Sequence, residues 1–364
     1  MNATAVDVLV IGLGPGGGSA ARILAEKGFD VLGIEKKAEI GQPVQCAEFV
    51  PLPMGSYART DEVRAQSIIG MKSFLPSGES KPTDFPGLMI NRAKFDAAIV
   101  HRAQDAGAKI QTATRLVKLE AGSHQATVEH KGEQQIIHYK MLVAADGPHS
   151  QAARQLGLAE LETVNTRQYT VPLLKPYDDT DIWLSDDYPG GYAWLFPKGN
   201  IANIGLGADK AFTADLKQPL DKLHKQLVEQ GLVGEEISYR TGGLIPVGGM
   251  RDKLYIQDCV LVGDAAGLTH PITGAGISAA VISGEAAGHA VAAYMQQDED
   301  ALEDYDEDMR DQFEITLNRA VATRQWLKKI WRTKHANQDD VMRHSWIAFD
   351  EYFDNQNRLP EIDG

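Results

Sequence analysis

Three groups of residues carry spacing that suits chemistry. The first is Gly12-x-Gly14-x-x-Gly17, followed about twenty residues on by Glu35 and its neighbour Lys36. Gly12 permits a tight turn, Gly14 lets the backbone approach a pyrophosphate, and Gly17 lets a helix pack closely on a strand. Phosphates then meet the free N–H groups and the positive dipole end of that helix. An acid at Glu35 bonds ribose hydroxyls and favours an adenosine with a free 2′-hydroxyl, so FAD or NAD rather than NADP. The second group is Asp146-Gly147, with Ser150 and Arg154 behind it. The third is Gly263-Asp264, then Gly274, Gly276 and Ile277. A carboxylate at Asp264 can bond a ribityl hydroxyl. N–H groups at a helix start near Gly276 and Ile277 can point at a flavin pyrimidine ring, where negative charge grows on reduction. A NAD dehydrogenase needs no such late return to the nucleotide domain, so the predicted cofactor is FAD.

The surrounding elements must place these groups. Val6 to Ile11 reads as a buried parallel strand, and the segment SAARILAEKGF has helical spacing with Gly28 as its stop. Asp30 to Glu35 reads as a second strand, completing a β-α-β unit. Residues 41 to 91, rich in Pro and Gly, read as an extended segment with a few short elements. Arg92 to Ala106 has helical spacing, and Lys109 to Tyr139 reads as strands with a hairpin at Lys131-Gly132. Met141 to Ala145 and Val260 to Val262 are buried strands, and ISAAVISGEAAGHAVAAYM is a helix of small residues. Between them, strand-like stretches alternate with Pro and Gly turns, interrupted by the helix LDKLHKQLVEQG. The predicted class is α/β (α+β overall), a Rossmann-type FAD-binding domain in discontinuous segments with an inserted antiparallel-sheet substrate domain and a helical C-terminal tail. The expected boundaries are 1–70, 90–162 and 250–295 for the FAD domain, 71–89 and 163–249 for the sheet domain, and 296–364 for the tail.

Several segments resemble the FAD-dependent hydroxylase and reductase superfamily that includes p-hydroxybenzoate hydroxylase, and within it the geranylgeranyl reductase family. These are PVQCAE around Cys46, DGPHSQAAR, PGGYAWLFPKG from Pro189 to Gly199, GGLIPVGG from Gly242 to Gly249, and the GDAAG and G-x-G-I pattern. The resemblance spans roughly Val6 to Ala290 and implies further positions. Arg92 looks like the family's arginine in the helix near the FAD. Cys46 lies in the segment that passes beside the flavin, with Ala47 where a glycine is expected. Tyr192, Trp194 and Phe196 alternate and so share one strand face; the family places that strand in the sheet over flavin and substrate. His270 falls in the loop nearest the flavin ring, as a tuning, acid or structural residue. Cys46, His270, Tyr192 and Trp194 are thus the catalytic candidates near the flavin, none of them certain. Cys259 reads as an inert core residue.

The chain has 364 residues and 35 glycines, close to a tenth against an average of about 7%. That excess suits tight turns and close backbone approach. Thirty-six basic and 50 acidic residues give a net charge of −14, which argues against nucleic acid as a partner. Two cysteines exclude a disulfide framework, and no metal site is expected. No signal peptide or apolar run of about 20 residues is present, so a cytoplasmic protein without a membrane span is expected. The acidic run from Gln297 to Asp311 reads as a solvated helix face. The first expectation for function is a flavin monooxygenase hydroxylating an aromatic (indole or tryptophan) substrate. It draws on a resemblance to flavoproteins that mature a cysteine tryptophylquinone cofactor, so a small molecule or a side chain of a partner protein would be the substrate. The alternative is hydride transfer to isoprenoid double bonds, as in the geranylgeranyl reductases. A second alternative is a non-catalytic prenyl-binding protein. No second Gly-x-Gly-x-x-Gly is visible, so NAD(P)H, if used, binds transiently as reductant.

Overall fold

A computed structural model describes residues 3–58, 60 and 62–354. Its helices are α1 (Pro15–Glu26), α2 (Arg92–Asp105), α3 (Gln151–Gln155), α4 (Lys217–Glu229), α5 (Ile277–Met295), α6 (Ala301–Ile330), α7 (Asp339–Ser345) and α8 (Glu351–Asp354). The chain divides into two units. The first comprises 1–43, 92–162 and 246–318, and the second 44–91, 163–245 and 319–364. The C-terminal region is therefore shared, with α6 beginning in the first unit and ending in the second. The end of the expected tail, 355–364, lies outside the described residues.

The first unit is built on a six-stranded sheet. Its order is Tyr255–Ile256, Cys259–Leu261, Met141–Ala144, Val8–Ile11, Val31–Ile34 and Lys109–Gln111. The last five run parallel, and strands such as Val8–Ile11 and Met141–Ala144 are buried at every position, as a sheet covered on both faces requires. A four-stranded sheet holds the Gln125–His130 and Glu133–His138 hairpin, turned at Lys131-Gly132 as the sequence predicts. Helix α5 matches the small-residue segment and packs on α1. A Cβ at Gly284 would lie 2.2 Å from the Gly16 carbonyl oxygen, and one at Gly288 would lie 2.7 Å from the Ile23 side chain. The small residues of α5 are thus a packing requirement. The acidic run lies on α6, where Leu302, Tyr305 and Met309 face inward while Glu303, Asp304, Glu307 and Asp308 are exposed.

The second unit carries a nine-stranded mixed sheet. Its longest strands are Arg64–Phe74 and Ser80–Ile90, eleven residues each. They fill much of 41–91, where an extended segment with only a few short elements is expected. Two register shifts, at Arg64/Gln66 and Ile68/Gly70, break their alternation, and Pro82 and Pro86 interrupt it further. Helix α4 covers one face of this sheet through Leu220, Leu223 and Leu227, which pack with Tyr169, Val171 and Ile204. The end of α6 is tied to the same unit by a buried ion pair. Arg324 NH2 lies 2.9 Å from Asp209 Oδ2, with side chains 4% and 5% exposed, and Arg324 NH1 donates to the Gly190 carbonyl at 2.6 Å. Removing one partner strands a buried charge, so Asp209→Ala should destabilise this unit by about 3–5 kcal/mol. Chemical denaturation of wild type and variant checks this.

Candidate functional site

In the first unit, Gly12 ends the buried strand Val8–Ile11 with φ +91°. A Cβ there would lie 2.4 Å from the Ala145 carbonyl oxygen, and one at Gly17 would lie 1.9 Å from the Gly12 carbonyl oxygen. These two glycines make the turn and the close helix approach. Gly14 differs: it caps α1 in an extended conformation, and a Cβ there meets no atom within 4 Å. The space over Gly14 is open, and the N-terminus of α1 has no side-chain cap. Free N–H donors therefore face open space, which suits a pyrophosphate. Glu35 stands beside it, with Oε2 accepting from the Leu13 amide at 3.0 Å and Oε1 from the Lys37 amide at 3.0 Å.

Lys36 is exposed, whereas Lys37 is half-buried and enters a charge cluster that the sequence did not reveal. Burial pushes Lys37 below its ordinary pKa, against the pull of Glu35. Arg92, at the start of α2, donates from Nε to Asp96 Oδ1 at 2.7 Å. Burial raises Asp96, with Arg92 and Lys37 opposing the shift. The Arg92 charge also reaches Asp264, whose carboxyl burial raises and which accepts from Thr269 Oγ1 at 2.5 Å. Gly276 lies tight against this loop, where a Cβ would come within 2.5 Å of Thr269 Oγ1 and displace that hydroxyl. It is the N-cap of α5, whose first residue is Ile277, and no side chain caps that helix either. Gly263 (φ +56°) and Gly274 (φ +69°) turn the backbone on either side of this loop.

Asp146 Oδ2 accepts from the Gln151 and Ala152 amides at the start of α3, while its buried Oδ1 has no partner. Gly147 follows with φ +83°. Open space at Gly14, uncapped starts of α1 and α5, and an orphaned Asp146 oxygen together fit a dinucleotide of FAD's shape and polarity.

His270 is the candidate whose chemistry the structure narrows. Its Nδ1 accepts from the Ile272 and Thr273 amides at 3.3 and 3.2 Å, and its own amide donates to the Ala275 carbonyl. An imidazole that accepts at Nδ1 is neutral, and burial pushes this one down to about 4. It organises the loop and is the neutral imidazole, with its proton on Nε2, rather than an imidazolium acid at neutral pH.

In the second unit, Cys46 is half-buried on the loop entering the sheet. The Trp194 indole N–H donates to Gln168 Oε1 at 3.2 Å, and Gln168 Nε2 donates to the Cys46 carbonyl at 3.1 Å. Glu48, two residues on, adopts φ +72° and pairs with Lys198 at 2.7 Å, both side chains nearly buried. Asn203 Nδ2 also donates to Glu48. Tyr192 packs on Trp194 and on Trp346, with ring centroids 5.8 and 4.8 Å apart. Trp194 neighbours Phe196, which neighbours Phe49, which stacks on Phe85. Burial raises the Tyr192 phenol, with Cys46 adding to the shift. Nothing in the sequence links Phe49, Phe85 and Trp346 to Tyr192, since only the folded chain joins them.

A model of the geranylgeranyl reductase catalytic domain matches residues 164–244, one of an FAD binding domain matches 78–198, and one of lycopene cyclase protein matches 209–353. Digeranylgeranylglycerophospholipid reductase of Methanocella arvoryzae is 34% identical over 366 residues, covering 94% of this chain and 92% of the relative. The Methanocaldococcus jannaschii protein of the same name is 34% identical over 78% of this chain and 77% of its own. The chain belongs to the geranylgeranyl reductase family. The crystal structure of a geranylgeranyl bacteriochlorophyll reductase-like protein from Thermoplasma acidophilum superposes with a TM-score of 0.85 at 28% identity, covering 96% of this chain and 93% of that one.

As a member of this family, the protein is an FAD-dependent oxidoreductase. Two expectations are corrected. The reading as a monooxygenase for tryptophan in a partner protein gives way, because the family model and the near full-length relatives name a reductase of geranylgeranyl groups. The reading as a non-catalytic prenyl binder falls with it. Among the described residues no helix is long and apolar enough to cross a membrane, and no cluster of metal-ligating side chains occurs.

Two outcomes test this geometry. Gly14→Val should fold with near wild-type stability yet lose FAD, whereas Gly17→Ala should lose both, because its Cβ collides with backbone; flavin absorbance and thermal melts read the difference. His270 should also contribute stability that depends on pH. Its folded pKa lies below the unfolded value of about 6.5, so the contribution is complete above that pH and lost as pH falls toward about 4. The loss approaches roughly 3 kcal/mol. His270→Gln should flatten that part of the stability–pH curve.

Proposed function

We propose that this flavoprotein saturates carbon–carbon double bonds in geranylgeranyl chains, its substrate a digeranylgeranyl glycerophospholipid. The observation that carries the reading is similarity across nearly the whole chain to proteins named for that activity. The row of rings from Trp346 through Tyr192, Trp194, Phe196 and Phe49 to Phe85 supports it. An isoprenoid chain offers no hydrogen-bonding groups, so aromatic faces rather than polar anchors suit it.

Bound FAD supplies two-electron hydride chemistry. In our reading, Gly12, Gly14 and Gly17 with the start of α1 hold its pyrophosphate, and Glu35 holds the adenosine ribose. Lys37 and Arg92 balance negative charge, Asp264 takes a ribityl hydroxyl, and Gly274, Gly276 and Ile277 present amides to the flavin ring. Asp146 offers its free oxygen to the same cofactor.

Saturating a double bond also consumes a proton. Tyr192, whose phenol burial keeps protonated, and the neighbouring Cys46 thiol are our candidates to deliver it. Trp194 and Gln168 act as positioning residues, because their hydrogen bonds fix the Cys46 loop. We further infer that NAD(P)H or a similar donor reduces the flavin in passing, and that the protein works in the cytoplasm on lipid from the adjoining leaflet.

Supplied with reductant and digeranylgeranyl glycerophospholipid, the protein should yield lipid heavier by two hydrogens per bond, read by mass spectrometry. Tyr192→Phe or Cys46→Ala, whichever removes the proton donor, should slow turnover by about 100-fold with FAD content unchanged. Undiminished turnover in both variants would remove the proton role from this pair, and an oxygenated product would overturn the proposed reaction.

A further inference from the structure

A second binding feature lies in the sheet unit, on the face that α4 covers. A cleft of about 630 Å³ is lined by Asn165, Arg167, Asp215, Lys217 and Arg240 among others. Strand pairing explains why the cations gather there. Arg240 sits opposite Tyr169 in the antiparallel ladder between Thr163–Pro172 and Tyr239–Thr241. Asn165, Arg167 and Tyr169 alternate along their strand and so share that face, which makes Arg167 the diagonal neighbour of Arg240. Both guanidinium carbons lie 5.7 Å from the centre of the Tyr169 ring. Lys217 reaches the same cleft from the start of α4, whose Asp221 accepts from the Tyr169 hydroxyl at 2.8 Å.

The carboxylates nearby are already committed. Asp221 pairs with Lys217 at 2.5 Å, and Asp215 Oδ1 accepts from the Lys217 and Gln218 amides. Among the described residues neither Arg167 nor Arg240 has a carboxylate partner, and Arg167 Nε is buried without a hydrogen bond. Two guanidinium groups without an ion pair converge on one ring beside the Lys217 ammonium. These three cations face the Asp221 carboxylate, whose charge Arg167 and Lys217 already share, and this local excess of positive charge suits a shared anion.

We propose that this cleft is a binding site for a phosphate group, gripped by Arg167 and Arg240 from two strands and by Lys217 from the helix. A carboxylate has two oxygens and fills one guanidinium fork. A phosphate presents oxygens in several directions and can meet two forks and an ammonium together. The site does not rest on the reductase reading. Its phosphate comes either from free phosphate or from a glycerophospholipid headgroup.

The test uses the FAD-loaded full chain. Titration calorimetry with inorganic phosphate, at ionic strength fixed with chloride, should show one saturable site. Arg167→Gln and Arg240→Gln should each weaken it about tenfold, with flavin content and melting temperature as controls for folding. Lys217→Gln, at an exposed position, should weaken it less and serves as the second variant. Co-sedimentation with phosphatidylglycerol and phosphatidylcholine vesicles separates the sources. Association with the anionic vesicles alone, lost in the arginine variants and displaced by phosphate, identifies a headgroup site. Phosphate binding without vesicle association identifies a free-phosphate site. Both results support the proposal. It is overturned if neither probe binds, if chloride displaces phosphate equally well, or if the arginine variants bind as wild type does.

Discussion

Contact between backbones, with no side chain between them, is the constraint on which the first unit depends. Gly17 meets the Gly12 carbonyl, and Gly284 of α5 meets the Gly16 carbonyl of α1. The first contact fixes where α1 leaves the strand Val8–Ile11, and so where its free N–H groups point. The second seats α5 on α1, which in turn sets Gly276, Asp264 and Thr269. One steric rule thereby orients two uncapped helix starts and a buried acid. Any side chain at these crossings moves backbone, and a movement of an ångström is enough to spoil a cofactor site.

The second unit solves a different problem, which is to hold the Cys46 loop against an apolar face. Polar wiring runs beside the aromatic row, from Trp194 to Gln168 to the Cys46 carbonyl, and from Lys198 and Asn203 to Glu48. These hydrogen bonds and the Lys198–Glu48 pair satisfy the polar side chains that border the rings, so the loop is held in place beside them. The rings themselves contribute large apolar area with few rotatable bonds.

Local pattern made the β-α-β start, α5 and the Lys131-Gly132 hairpin readable from sequence, because glycine spacing and alternation are short-range signals. Arg64–Phe74 and Ser80–Ile90 escaped, since bulges and prolines break their alternation while pairing with each other sustains them. Lys37 went unread, because strand geometry alone does not say that it turns into the charge cluster beside Glu35. For His270 the sequence left a tuning, an acid and a structural role open, because only the folded loop brings two amides to its Nδ1. The partnership of Tyr192 with Trp346 joins residues far apart in sequence and has no local signature. Substrate chemistry was the least legible, because motifs that place a flavin serve hydroxylation and reduction alike.

The central claim is that electrons pass from the flavin to a carbon–carbon double bond without oxygen. The direct measurement is anaerobic mixing of pre-reduced protein with digeranylgeranyl glycerophospholipid, following flavin absorbance and lipid unsaturation together. The account predicts reoxidation of the flavin matched one for one by lost double bonds. A flavin that stays reduced until oxygen is admitted, with the lipid unchanged, would contradict it.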